Sequence, residues 1–172
     1  VSYDKLDAGG RRTSRATLKF DTDLGNKLYR LQVGGADDDN NVIAKATVVG
    51  TLFQVPGGGP GFSTNAFLGD GAAAANDVDL YKVALPAGAT LTAVVTPDAA
   101  LRGVVRIFNG AGAEVATGSG TAAGTAVTVP FSATLAGEYY VGVSSFGNAA
   151  YSAVDGSGAT GGARSEEHTS EL

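Results

Sequence analysis

The stretch DLYKVALPAGATLTAVVT, residues 79–96, decides the fold. In its first seven residues Tyr81, Val83 and Leu85 alternate with Leu80, Lys82 and Ala84. A period of two places the first set on one face of a strand and the second on the other. The Tyr81, Val83 and Leu85 face is the predicted core face. Pro86-Ala87-Gly88-Ala89 carries turn chemistry, and Leu91, Ala93 and Val95 then alternate with Thr92 and Val94 until Pro97-Asp98 closes a second strand. Downstream, residues 104–108, 114–117, 126–131 and 138–143 read as further strands, each bounded by Gly, Asn or Pro. In the last of them Tyr139, Val141 and Val143 share the predicted core face and Tyr140 takes the other. That spacing predicts an all-β fold, a jelly-roll-like β-sandwich of short antiparallel strands. Upstream, residues 44–53 read as a strand rich in β-branched residues, and the Pro-Gly-rich run 56–61 opens a long loop expected to last to about Asn76. No segment of ten residues has a helical period; Ala72 to Ala75 is short and bracketed by Gly71 and Asn76.

Before the sandwich, residues 16–20 and 27–33 flank a turn-forming DTDLGN run and predict a β-hairpin with imperfect alternation. The polar run GGADDDNN, residues 34–41, follows, so a boundary is placed near Gly35. Residues 1–35 are expected to be the tail of a preceding domain or a linker, and residues 36–163 the sandwich. Opening at Val1 without a signal segment, the chain is expected to begin upstream of this sequence.

The final nine residues, RSEEHTSEL at 164–172, differ in character from everything before them and match, residue for residue, the in-frame translation of a widely used sequencing adapter. They are set aside here as a non-native tail. His168, the only histidine, goes with them, leaving 11 basic and 14 acidic residues and a net charge of −3. With 172 residues, 26 of them Gly and none Cys, Met or Trp, the composition suits one sandwich domain and excludes disulfides and thiolate metal sites. Without Cys or a native His, Ser-His-Asp and Cys-His nucleophile systems are excluded too. The longest basic run is Arg11-Arg12, which gives no footprint for nucleic acid and no polybasic patch for anionic lipid. No apolar run approaches the ~18 residues of a membrane span.

Four phrases in order, NNVIAKAT at 40–47, NDVDLYKV at 76–83, LPAG at 85–88 and GEYYVGV at 137–143, resemble the bacterial pre-peptidase C-terminal domain family. The resemblance spans residues 37–163. It implies a β-sandwich appended to secreted proteases and other large extracellular proteins, where it stabilises or tethers neighbouring domains of the same chain. It further implies a non-catalytic accessory module, secreted or at the cell surface, with any peptidase activity lying outside these residues. The family pattern continues with one more strand after the Gly-rich stretch that follows Tyr151. None is read before residue 164, so an open sheet edge is expected.

Asp37, Asp39 and Asn41 place oxygen side chains at alternate positions, and Asp77 and Asp79 repeat the arrangement before a strand. Ca²⁺ takes six to eight such oxygens, so two converging loops of this kind would form a calcium site. A solvated linker and a turn would use the same residues, and both readings stand at this point. The DTDLGN run is better explained as a turn than as a calcium loop, and GSGTAAG at 118–124 as a turn than as a dinucleotide loop, since no βαβ unit surrounds it. Tyr139, Tyr140, Phe146 and Tyr151 are candidates for an aromatic platform. Exposure of Tyr140 and Tyr151 would mark the alternative function, a binding module for an extracellular polymer, either polysaccharide or fibrous protein.

Overall fold

A computed structural model describes residues 39–49, 53–54, 60–61, 63–66, 68, 76–160 and 168–171. The expected hairpin of residues 1–35 lies outside the described residues. The strands are β1 (Thr47–Val48), β2 (Phe53–Gln54), β3 (Pro60–Gly61), β4 (Ser63–Ala66), β5 (Val78–Leu85), β6 (Thr90–Pro97), β7 (Gly103–Asn109), β8 (Glu114–Ser119), β9 (Val127–Ser132), β10 (Gly137–Ser145) and β11 (His168–Glu171). Helix among the described residues is limited to short 3-10 turns, of which Ile43–Lys45 and Phe146–Asn148 are the clearest. The fold is all-β.

One sheet has the order β1-β5-β10-β7-β8 and the other β4-β11-β6-β9, while β2 and β3 pair separately. The chain changes sheet between β5 and β6, β6 and β7, β8 and β9, and β9 and β10, so consecutive strands mostly face each other across the core. At the first of these corners Ala89 N–H donates to the Pro86 carbonyl at 3.2 Å, and Gly88 sits at φ +82°. This left-handed position at the third residue of the turn is one that Gly takes without steric cost. The sequence-predicted core face is correct: Tyr81, Val83 and Leu85 of β5 pack with Val141 and Val143 of β10, Ile107 of β7, Leu91, Ala93 and Val95 of β6 and Val129 of β9 in one buried cluster. Each Val, Leu or Ile side chain among them contributes about 1.5–3 kcal/mol when fully buried.

Residues on the opposite face of the five-stranded sheet are buried as well. Leu80 of β5, Phe108 of β7 and Tyr140 of β10 form a second cluster with Tyr151 and Ala153, which lie after the last strand of that sheet. Residues 146–160 therefore fold back as a third layer, with Ile43 packed against it and Ile43 N–H donating to the Ala153 carbonyl at 2.8 Å. This layer explains why β5 and β10 are buried almost without interruption, where a sheet with one wet face would alternate.

Four expectations are corrected. Residues 44–53 do not form one strand: Ile43–Lys45 is a 3-10 turn and β1 is two residues long. The reason is the anchoring of Ile43 to the third layer, which curls the backbone just where the β-branched run suggests extension. The sheet is mixed, because β1 runs parallel to β5, pairing Thr47 with Tyr81. The stretch expected as one loop to Asn76 contains β3 and β4; Ser-Thr-Asn-Ala carries no apolar alternation to announce β4. Finally, the tail, in which no strand is expected, contains one: residues 168–171 form β11 between β4 and β6. Strand pairing uses main-chain groups that any non-proline residue carries, so the origin of the tail sequence does not exclude it from the sheet.

The third layer carries one strongly shifted carboxyl. Hydrogen bonds from Ser152 and Ser157 hold Asp155 at about 2, below the ordinary aspartate value; Ser157 contributes both its N–H at 3.1 Å and its Oγ at 2.8 Å. A depressed folded-state pKa means that the contribution of these bonds is present above the unfolded value of about 3.9 and is lost as pH falls toward about 2. Carboxyl chemical shifts followed by NMR should place the Asp155 midpoint near 2 in the folded chain. Ser157→Ala should move it upward.

Candidate functional site

Polar side chains collect where β5 begins and β10 ends. Asn40, Asp77, Asp79, Ser144, Ser145 and Asn148 are all buried there, while the other buried side chains among the described residues are hydrophobic. The register pairs Asp79 with Val143 and Ser144 with Val78. By strand alternation Asp79 and Ser145 lie on the same face as Tyr81 and Val143, at the margin of the inter-sheet core. Asn41 fixes the start of β5 by accepting the Val78 N–H on Oδ1 at 2.7 Å. Asn40 Nδ2 donates to Thr47 Oγ1 at 3.2 Å and reaches Asp79 Oδ1 at 3.5 Å.

Asn148 ties this end together. Its Nδ2 donates to the carbonyls of Asn76 at 2.8 Å and Asp77 at 3.1 Å, and its Oδ1 accepts the Thr160 N–H at 2.8 Å. One buried amide thus joins the approach to β5 to the far end of the third layer. Sequence reading missed Asn148 and Asn40. Asn148 sits in the run FGNAAY, where an Asn reads as an ordinary loop residue, and Asn40 was passed over in favour of its alternating neighbours.

Of the five sequence-predicted ligands, Asp37 lies outside the described residues. Asp39 is exposed and ion-paired with Lys45, and Asn41 is engaged by Val78. Asp77 and Asp79 are buried, and Asp79 Oδ1 lies 3.5 Å from Asn40 Nδ2. Asn40 Oδ1 is itself buried with no hydrogen-bond partner among the described residues. A 180° turn of that amide would exchange its nitrogen for its oxygen and point the oxygen at Asp79. Two carboxylates and, after that turn, an amide oxygen are donors of the hard kind that Ca²⁺ takes. Asn40, Asp77 and Asp79 are the residues that would hold it. Among the described residues no group of three or more His, Cys, Asp or Glu side chains gathers as a metal cluster, so main-chain carbonyls or water would have to complete the shell.

The aromatic candidates behave differently from the platform reading. Tyr140 is 6% and Tyr151 1% exposed, and Tyr139 is buried too. Tyr139 Oη donates to the Leu135 carbonyl at 2.8 Å and Tyr140 Oη to Glu138 Oε2 at 3.2 Å. Tyr151 packs against Phe108 with ring centroids 5.8 Å apart, and the Arg106 guanidinium lies over both rings at 4.6–4.7 Å. Arg106 also donates to the Tyr151 carbonyl at 2.6 Å and pairs with Glu114. Phe146 alone of the four stays exposed, at 46%, with the Arg102 guanidinium 3.4 Å from its ring centre. The expected row of exposed aromatics is therefore not formed by these residues, because the third layer covers the face on which Tyr140 lies.

Comparison with known proteins gives likeness at the level of solved structures. No protein-family model matches the sequence, and no curated protein does. A crystal structure from Bacillus anthracis collagenase is similar over 74% of this chain and 91% of its own, at 16% identity and a TM-score of 0.44. That structure is a pre-peptidase C-terminal domain. The periplasmic inhibitor of g-type lysozyme PliG from Aeromonas hydrophila is similar over 73% of this chain and 96% of its own, at 12% identity and the same TM-score of 0.44. A pre-peptidase C-terminal domain is thus among the structures this chain is similar to, beside a lysozyme inhibitor. No helix among the described residues is long and apolar enough to cross a membrane.

Proposed function

We propose that the chain is a non-catalytic accessory β-sandwich of a secreted or cell-surface multi-domain protein, stabilising or tethering its neighbouring domains, with Ca²⁺ bound by Asn40, Asp77 and Asp79 at the start of β5. The observation that supports the reading is the burial of Asp77, Asp79 and the Asn40 amide at one end of the domain, with Asn40 Oδ1 lacking a hydrogen-bond partner among the described residues. A cation there would lock the segment before β5 to the sheet, which is a stabilising role and needs no turnover. The ordered phrases that resemble pre-peptidase C-terminal domains support the accessory role and the extracellular setting. Neither Cys nor a histidine beyond His168 exists in the chain to build a nucleophile system.

Calcium titration of the full chain, followed by melting temperature, tests the site. A ligand that binds only the folded state raises the midpoint by mass action. The expected result is a saturable rise of several degrees by millimolar Ca²⁺, removed by Asp79→Ala and by Asp77→Asn. Asp39→Ala should leave it unchanged, because Asp39 is exposed and paired with Lys45. No shift at millimolar Ca²⁺ sinks the metal site and leaves a plain structural module; loss of the shift in Asp39→Ala would move the site into the preceding loop.

A further inference from the structure

Strand β11 has partners on both sides. His168, Thr169, Ser170 and Glu171 stand opposite Ala66, Asn65, Thr64 and Ser63 of β4, and opposite Pro97, Thr96, Val95 and Val94 of β6, antiparallel to each. Nothing in His-Thr-Ser-Glu resembles the alternating apolar sequence of β5 or β6, which in a half-buried strand is what normally specifies register. Main-chain N–H and C=O groups are the property that this segment shares with any strand, and a central position uses both of its edges at once. Without an occupant, β4 and the Val94–Pro97 part of β6 would each present a row of unpaired backbone groups, the template on which another chain adds a strand.

We propose that the gap between β4 and β6 is a strand-accepting site for an extended, proline-free polypeptide segment, recognised through main-chain pairing and not through side-chain identity, so that a segment supplied in trans fills it as the chain's own residues do. The partner chemistry is that of a four-residue extended peptide running antiparallel to both neighbours. This inference concerns the second sheet and does not depend on the calcium reading.

The test uses the full chain carrying Thr169→Pro and Ser170→Pro together. Consecutive residues of a central strand address opposite neighbours, so two prolines remove one donor toward each. This chain should melt several degrees below its parent. Adding a synthetic peptide of residues 164–172 should restore the loss saturably, and a peptide with Thr169→Val and Glu171→Val should restore it at least as well. The peptide carrying both prolines should have no effect. The site is overturned if the parent peptide fails to restore stability, if the proline peptide succeeds, or if the proline chain melts with its parent.

Should the proline chain not fold, disulfide trapping decides the matter in the otherwise unmodified chain, which has no cysteine. Thr96 stands opposite Thr169, so Thr96→Cys is offered a peptide with cysteine in place of Thr169, supplied as its 2-pyridyl disulfide so that the protein thiolate displaces 2-thiopyridone. Several millimolar peptide is needed to compete with a tethered segment, whose effective concentration is on the order of millimolar. Mixed disulfide should form at least tenfold faster at Thr96→Cys than at the exposed Ser119→Cys on β8. Equal rates overturn the proposal.

Discussion

Gly142→Ala is expected to destabilise the folded chain by about 2–3 kcal/mol, in the range measured for overpacking a filled core. Gly142 lies in the middle of β10, on the face covered by the third layer. A methyl group added there would collide with Tyr151 Oη, and it would also stand 3.1 Å from Leu80 Cδ2 and 3.2 Å from Phe108 Cε2. The strand therefore carries Gly at this position so that the Tyr151 ring can lie directly on the backbone. Tyr151→Phe removes the colliding atom. Burial pushes the Tyr151 phenol up, so it stays neutral, with the nearby Arg106 guanidinium opposing the shift only in part, and its Oη makes no hydrogen bond of ordinary geometry among the described residues. Tyr151→Phe alone should consequently change stability by less than about 1 kcal/mol. In the double variant the cost of Gly142→Ala should fall by about 1–2 kcal/mol, and urea unfolding of the four chains gives that coupling directly. Additive costs would mean that Leu80 and Phe108, and not the phenol, set the limit at Gly142.

Asn148→Ala should cost about 2–4 kcal/mol. The substitution deletes an amide that makes three buried hydrogen bonds and leaves the Asn76 and Asp77 carbonyls and the Thr160 N–H to find other partners. Each buried group left unsatisfied costs about 1–3 kcal/mol, with some relief where the third layer can loosen and admit water. Amide exchange should report the same event locally: protection of Thr160 should collapse in Asn148→Ala even under conditions where the β10 amides remain protected. A loss below about 0.5 kcal/mol would place Asn148 among ordinary surface residues and remove the link between the third layer and the start of β5.

How far the sequence could be read depended on whether a residue's role followed the strand period. Tyr81, Val83 and Leu85 were legible because they alternate cleanly up to a Pro-x-Gly corner, and Tyr139, Val141 and Val143 because they do the same before the Phe146 turn. Tyr140 was placed on the correct face, but its burial was not legible, since the cover comes from Tyr151 and Ala153 in a loop with no period. Residues 44–53 misled for the opposite reason: Thr47, Val48 and Val49 have strand propensity, yet a single anchor at Ile43 bends the chain before it can extend. At the candidate site the spacing of Asp77 and Asp79 was visible, while their companion Asn40 was not. What joins them is a contact across 39 residues of sequence, 3.5 Å between Asn40 Nδ2 and Asp79 Oδ1.

The strand order β4-β11-β6 also constrains when the second sheet can form. Strands β6 and β9 pair with each other and need only the chain between them, so half of that sheet can assemble early. Strand β4 must wait. Its sole ladder partner among the described residues is β11, roughly 100 residues further along, and contacts so distant in sequence close slowly. When the unfolded chain refolds, β4 is therefore among the last of the described strands of that sheet to be paired. In that interval another unfolded copy would meet this sheet as an unfinished one.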